Sequence, residues 1–422
     1  MFNILHIFKA PDLRKKVVVV LLLLAAFRLL AAIPIPGVNT SELEAFFASS
    51  RLLGFLNIFS GGGLSNLSLV MLGIGPYITA VIVMQLLMIV FPRLKEVYYE
   101  EGPEGRAKFN RISRYLTIPF SILQGYSFLN LLMSQGAIAP LPLPAIIGNI
   151  IIITAGTMFL VWIGEVISEY KIGNGTSLII FAGIVSGLPR AIMSSLASYT
   201  PEMLPTYIIF VALSVAVIAG ITYINEGERK ISVSYAKRVR GNKLYGGVTS
   251  YLPLKINQAG VIPIIFAVSL LLLPQFAVQI VAIASPAASA RLNTIVTTIF
   301  NNQLIYSAVY FALVVVFTYF YTAITFNPDE ISKTLQQSGG FLPGIRPGAQ
   351  TTDVLRYVVR RITLFGALFL GIVAVLPNLT QMITGVEAFS LGGTGLLIVV
   401  AVALEVMKQL QSQLSIREYE TR

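Results

Sequence analysis

Ten runs of mostly apolar residues, each about 17 to 23 long, take up roughly half of this chain, and that pattern leaves few folds open. A helix rises about 1.5 Å per residue, so about 20 apolar residues cross a hydrocarbon core of about 30 Å. The runs are 17–33, 75–91, 115–133, 145–166, 176–194, 204–224, 256–278, 304–326, 357–376 and 391–407. Charged residues make up 12% of the 422, half the roughly 25% of a soluble domain. A β-barrel would show short alternating segments instead. The expected fold class is therefore an all-α polytopic membrane protein with ten transmembrane helices. The first run follows Lys15 and Lys16 in the manner of a signal peptide, but no small-residue cleavage site follows, so it reads as a retained span. The fifth run contains Pro189 and the seventh Pro263 and Pro274, which predicts bent or short helices.

The basic residues orient the spans. With the N-terminus inside, inner segments hold 26 of the 30 Lys and Arg, and outer segments hold only Arg51, Arg190 and Arg291. Lys and Arg are retained on the cytoplasmic side, so both termini are expected in the cytoplasm of a cytoplasmic (inner) membrane protein. The net charge of +11 then sits on one face, where it attracts anionic lipid and large acidic or RNA-bearing partners. Ten spans divide into two sets of five. Because five is odd, similar halves (1–200 and 201–422) would lie in opposite orientations as an inverted repeat. The second span opens GIGPYITA (Gly73 to Ala80) and the seventh opens GVIPIIFA (Gly260 to Ala267), a faint trace of such a repeat.

Before the second span lies a stub that is too short to cross. It comprises Gly61, Gly62, Gly63, Leu64, Ser65, Asn66, Leu67, Ser68, Leu69 and Val70, running on to Leu72. As a helix, Leu64 to Leu72 would rise only about 14 Å. Non-helical backbone at membrane depth must line or fill a cavity. The stub is thus either a movable stopper or a static re-entrant loop.

The side chains available exclude most chemistry. With no cysteine, there is no disulfide, thiolate nucleophile or zinc-thiolate site. The single histidine, His6, precedes the first span, so no span carries a histidine base or ligand. The intramembrane acids are Glu165 and Glu405, both near cytoplasmic span ends, and Glu405 has Lys408 on its helical face. Neither an enzyme nor a metal or other cofactor is expected. A secondary solute transporter with inverted repeats remains the alternative, but ion coupling normally uses deep charges, and these are nearly absent. Two cytoplasmic segments, 225–256 and 327–356, are long, basic and rich in Gly-Pro turns, a combination that usually carries function.

Eight stretches resemble one family in order along nearly the whole chain. They are IPIPGV (Ile33 to Val38), FSGGGLS (Phe59 to Ser65), LGIGPYITA (Leu72 to Ala80), GNGTSLIIFAGIVSGLP (Gly173 to Pro189), LPLKINQAGVIPIIFA (Leu252 to Ala267), FNPDE (Phe326 to Glu330), PGIRPG (Pro343 to Gly348) and GGTGLLIVV (Gly392 to Val400). They closely resemble the SecY family, the channel subunit of the bacterial protein translocase. Thr176 departs from the apolar residue that relatives often carry there. The resemblance implies two inverted five-helix halves around a central hourglass pore, with about 61–72 as a plug on the outer side. It implies a constriction ring at Ile74, Ile78, Ile180, Ile265, Leu270 and Ile398. Flexible apolar side chains seal around any passing chain, and an empty apolar neck dewets and blocks ions.

The resemblance also implies a lateral gate between spans two and seven, through which apolar segments reach lipid. Thr79, Gln85, Gln124, Asn257 and Gln258 are the expected weak polar contacts across that seam. The implied function is a protein-conducting channel that moves unfolded secretory polypeptides across the membrane and releases apolar segments sideways. The implied partners are SecE, SecG, the SecA motor ATPase, the ribosome through its RNA, signal peptides, nascent polypeptides and membrane lipid, with SecDF and YidC as further ones. Arg229, Lys230, Arg238, Lys243 and Arg346 are the expected contacts to SecA or the ribosome. Arg and Lys supply sequence-independent attraction to phosphates.

Overall fold

A computed structural model describes residues 11–36, 57, 60, 62–64, 66–134, 136–197, 201, 204–235, 238–240, 243–245, 249–384 and 392–420. Ten of its helices answer to the ten expected spans. They are α1 Pro11–Ala32, α2 Gly75–Val90, α4 Gly102–Ser134, α5 Leu143–Glu169, α6 Gly175–Ala197, α7 Leu204–Glu226, α8 Ile262–Ala284, α10 Gln303–Thr325, α12 Ala349–Thr384 and α13 Gly392–Glu420. Three shorter helices connect them: α3 Pro92–Glu100, α9 Pro286–Asn301 and α11 Pro328–Gln337. Prolines near the N-termini of α2, α3, α5, α8, α9 and α11 occupy the first turn, where a missing N–H costs nothing. The Asn302 side chain accepts from the Leu304 and Ile305 amides at the start of α10, and Asn327 accepts from Asp329 at the start of α11.

Among the described residues, seven helices are individually long and apolar enough to cross a membrane, or eight if α2 and Pro92–Tyr98, bent by 113°, count as one. The helices α1, α2 and α6 fall short of that count for three different reasons. Lys15, Lys16 and Arg28 charge α1, α2 has only 16 residues, and the apolar part of α6 ends at Pro189. Helix α6 continues through Pro189 and α8 through Pro274, and of the two only α6 is short as an apolar span, ending at Pro189.

The first helices pack as α2 on α4, α4 on α5 and α5 on α6. The later ones pack as α10 on α12, α8 on α10 and α13 on α7 and α12. The two groups meet along two lines, with α8 against α2 and α4, and α13 against α6. Glycines set the closest approaches. A Cβ on Gly371 of α12 would come within 2.7 Å of the Phe311 ring of α10.

The cytoplasmic segments are not simple connectors. Strand β1 (Glu228–Tyr235) pairs antiparallel with β4 (Thr249–Lys255), and β2 (Arg238–Arg240) pairs with β3 (Lys243–Tyr245). The two-residue strand β5 (Gly340–Phe341), from the other long segment, adds to β1 through Ser234↔Phe341 and Tyr235↔Gly340. The all-α membrane body thus carries a small sheet ordered β4-β1-β5. Val233 and Leu254 bury its inner face while Arg229 and Lys230 stay exposed.

Candidate pore, plug and gate

The six expected ring residues all belong to one large apolar core that draws on nearly every long helix. Ile74, Ile180, Ile265 and Ile398 are buried in it, and Ile78 and Leu270 are half-buried against it. They come from α2, α6, α8 and α13, with Ile74 at the N-cap of α2. A cavity of about 50 Å³ opens beside this cluster. Ile74, Ile78 and Thr79 line it from α2, Gln124 and Phe128 from α4, Ile180 from α6, and Val268, Ser269, Leu272 and Phe276 from α8. Its remaining wall is Leu64, Met71 and Leu72 of the stub. Ile265, Leu270 and Ile398 do not line this cavity.

The stub departs from the half-helix considered above. Its described residues form successive turns, with Leu67 N–H donating to Leu64 O, Ser68 to Gly63 O, Met71 to Ser68 O and Gly73 to Val70 O. The reason lies in chain direction and in a distant partner. Gly62 and Gly73 have φ of 79° and 57°, which glycine adopts at little cost. The chain leaving α1 then captures the stub's backbone: Ile35 N–H donates to Leu67 O at 2.7 Å, and Leu69 N–H donates to Ile33 O at 3.0 Å. Leu67 itself is fully buried at φ 40°, a conformation rare for a branched residue. Leu64, Leu67 and Met71 pack with Phe128, Leu129 and Leu132 of α4 and Ile153 of α5, while Val70 joins the ring's cluster. Asn66 Nδ2 donates to Ala31 O, and Ser68 is buried. Gly61 and Ser65 lie outside the described residues.

The expected gate contacts are redistributed. Gln124 Nε2 donates to Thr79 Oγ1 at 3.2 Å, which ties α4 to α2 and does not cross to α8. Asn257 Nδ2 donates to Asn225 Oδ1 at 2.8 Å and to Gly260 O, which ties it to the end of α7. Asn257 and Gln258 precede α8 instead of opening it, because Gly260 turns the chain at φ 62° and Pro263 sits in the helix's first turn. Gln85 is half-buried on α2. Among the described residues, the hydrogen bond that joins α4 to α8 is Asn130 Nδ2 to Gln279 Oε1 at 3.0 Å. Sequence reasoning missed this pair. Its signal was two amides in otherwise apolar runs.

A second missed contact is Arg114 Nη2 of α4 to Glu165 Oε1 of α5 at 2.6 Å. It explains one of the two intramembrane acids. The other, Glu405, accepts from Gln409 one turn on. Arg346 is exposed on the turn before α12; its N–H donates to Gln350 Oε1 and its carbonyl accepts from Thr351 Oγ1. Arg238 and Lys243 lie on β2 and β3. Among the described residues, no cluster of His, Cys, Asp and Glu could hold a metal ion.

With this arrangement in view, the similarity to known proteins is informative. The SecY family model matches residues 68–407. The protein translocase subunit SecY of Mycobacterium bovis is 40% identical over 435 aligned positions, covering 98% of this chain and 97% of that one. Its counterpart in Thermus thermophilus is 42% identical over 424 positions, covering 97% and 94%. The fold is that of a solved SecY channel, described as having a plug domain that stabilises its closed state. That structure matches at a TM-score of 0.64 and 21% identity, covering 94% of this chain and 91% of that one. The chain is a multi-pass membrane protein that belongs to the SecY family.

Proposed function

We propose that this chain is the protein-conducting channel of a translocase: it passes unfolded secretory polypeptides across the membrane and releases apolar segments sideways into lipid. One observation carries the reading. Ile74, Ile78 and Ile180 face Val268 and Leu272 of α8 across a cavity lined by no charged side chain, and the stub walls the same cavity. A neck without charge or directional hydrogen bonds favours no particular substrate sequence, and when empty it excludes ions by dewetting. In this reading the halves 1–200 and 201–422 part along α8 against α2 and α4, residues 61–72 are the plug, and the Asn130–Gln279 bond is part of the gate. The N- and C-termini and the β4-β1-β5 sheet face the cytoplasm of an inner membrane.

Arg229, Lys230 and Arg346 then meet SecA or ribosomal RNA, and SecE and SecG complete the channel. The chain catalyses no reaction, so a partner ATPase supplies the energy. Purified chain reconstituted with SecE and SecA should move a signal-bearing precursor into vesicles when ATP is added. Failure with demonstrably active partners, or saturable uptake of a small solute by this chain alone, would overturn the reading. Arg346→Glu should abolish SecA-driven export while the chain still inserts at normal levels. Normal export by that variant would remove the arginine's role.

A further inference from the structure

We propose that Gly156, in the middle of α5, is the seat of the plug: a notch whose missing side chain lets the stub's backbone settle into the closed position. The claim rests on the plug reading above and adds the residue that positions it. A Cβ at Gly156 would fall inside the van der Waals shell of the Leu69 carbonyl oxygen, 2.9 Å from the carbonyl carbon and 3.2 Å from Val70 Cγ1. Two of those three obstacles are backbone atoms, which cannot rotate away. The backbone cannot retreat either. Leu67 O and Leu69 N–H on its other side are bonded to Ile35 and Ile33, and Pro34 faces Ser68 in a β-bridge. The segment 67–69 is thus clamped between the chain leaving α1 and the bare face of α5.

The neighbouring helix supplies an internal contrast. Gly125 of α4 also faces the stub, but a Cβ there would meet Ile153 Cγ2 at 3.7 Å and Leu72 Cδ1 at 3.8 Å, ordinary packing distances. One glycine therefore excludes a methyl group and the other accommodates it, with the same stub against both. A methyl at position 156 forces residues 67–69 out of place and unseats the plug.

The chain has no cysteine, so Ser68→Cys, at a fully buried position, reports plug position by the reaction of its single thiol with a soluble maleimide. The channel is assayed in membranes with its partner subunits. Adding Gly156→Ala should raise the labelling rate of this plug thiol at least tenfold and raise ion leak, whereas adding Gly125→Ala should change neither. Equal labelling with and without Gly156→Ala, or equal acceleration by both alanines, overturns the proposal. Ser113→Cys, at a fully buried position on α4, is introduced in a separate variant to monitor the bundle. If Gly156→Ala exposes that bundle thiol as well, the glycine supports the bundle and the proposal falls. Deleting residues 62–70 separates this claim from the plug reading. If the deletion leaves leak and signal-sequence stringency unchanged while Gly156→Ala still exposes the plug thiol, the seat stands and the sealing role falls.

Discussion

Helices α4 and α7 are both long and both read as membrane spans, yet they solve opposite packing problems. In its most apolar window, α4 has 44% of residues buried, whereas α7 has 6%. The more buried helix is the more polar one. Its hidden face carries Ser113, Thr117, Ser121, Gln124, Gly125 and Ser127 beside Phe128, Leu129 and Leu132. Ser113 Oγ donates to Phe109 O and Thr117 Oγ1 to Ser113 O, so these two hydroxyls are satisfied within their own helix and present small surfaces to neighbours. Helix α7 is apolar on every side, and Ile221 is the one buried side chain among its described residues. In water, apolar residues mark the core. In lipid they are comfortable facing outward, and small or weakly polar residues mark the face where helices meet.

The sharpest way to break that contrast is to enlarge a small buried residue and trim a large exposed one. Ser121 is fully buried on α4, and Ile209 is exposed on α7. Replacing Ser121 by Leu inserts volume into a packed seam and should cost about 1–3 kcal/mol, read as a fall in thermal unfolding temperature in detergent. Replacing Ile209 by Ala should stay within about 0.5 kcal/mol. If the alanine is as costly as the leucine, α7 is not a lipid-facing helix and the lesson fails.

The same contrast explains what could be read from the sequence. Hydropathy located all ten helices because each must fill the bilayer, whichever way its faces point. It could not phase them. Thr79 and Gln124 stood out as polar residues in apolar runs, but only the rotation of α2 against α4 bonds one to the other. Asn130 and Gln279 carried the same signal and are the pair that crosses. The stub's failure to span was legible in Gly62, Gly63 and Gly73. Its turns were not, because the partner that fixes them, Ile33 to Ile35, lies at the far end of a long connection. The strand at 228–235 was not anticipated, although β-branched residues alternate with charge there. The two-residue β5 that joins the cytoplasmic segments is too short to leave a periodic trace. The choice of the ring residues came only through family resemblance, since an isoleucine in a membrane run carries no local sign of a pore role.

A smaller effect is expected at the junction of α4 and α5. Arg114 and Glu165 pair at 2.6 Å but keep 41% and 32% of their side-chain surface exposed. Solvent screening limits such a pair to about 1 kcal/mol or less. A double-mutant cycle with Arg114→Gln and Glu165→Gln should return a coupling of that size, shrinking as salt is raised. A coupling of several kcal/mol would mean the pair is effectively desolvated, and that charge as well as small hydroxyls marks the hidden face of α4.

The smallest effect separates two hydrogen bonds of similar strength. Gln124–Thr79 lies within the first group of helices, whereas Asn130–Gln279 joins α4 to α8. Intramembrane bonds of this kind average about 0.6 kcal/mol. Removing either by a leucine substitution should lower stability by a comparable small amount. Only the second spans the line along which the two groups would part, so only Asn130→Leu should shift opening. At about 1.4 kcal/mol per tenfold change, about 0.6 kcal/mol corresponds to about a threefold gain. Export of a precursor with a weakened signal sequence should therefore rise about threefold in Asn130→Leu and stay unchanged in Gln124→Leu. Equal gains from both would place the opening line somewhere other than α4 against α8. No gain from Asn130→Leu would mean that apolar packing, and not this bond, sets the threshold for release into lipid.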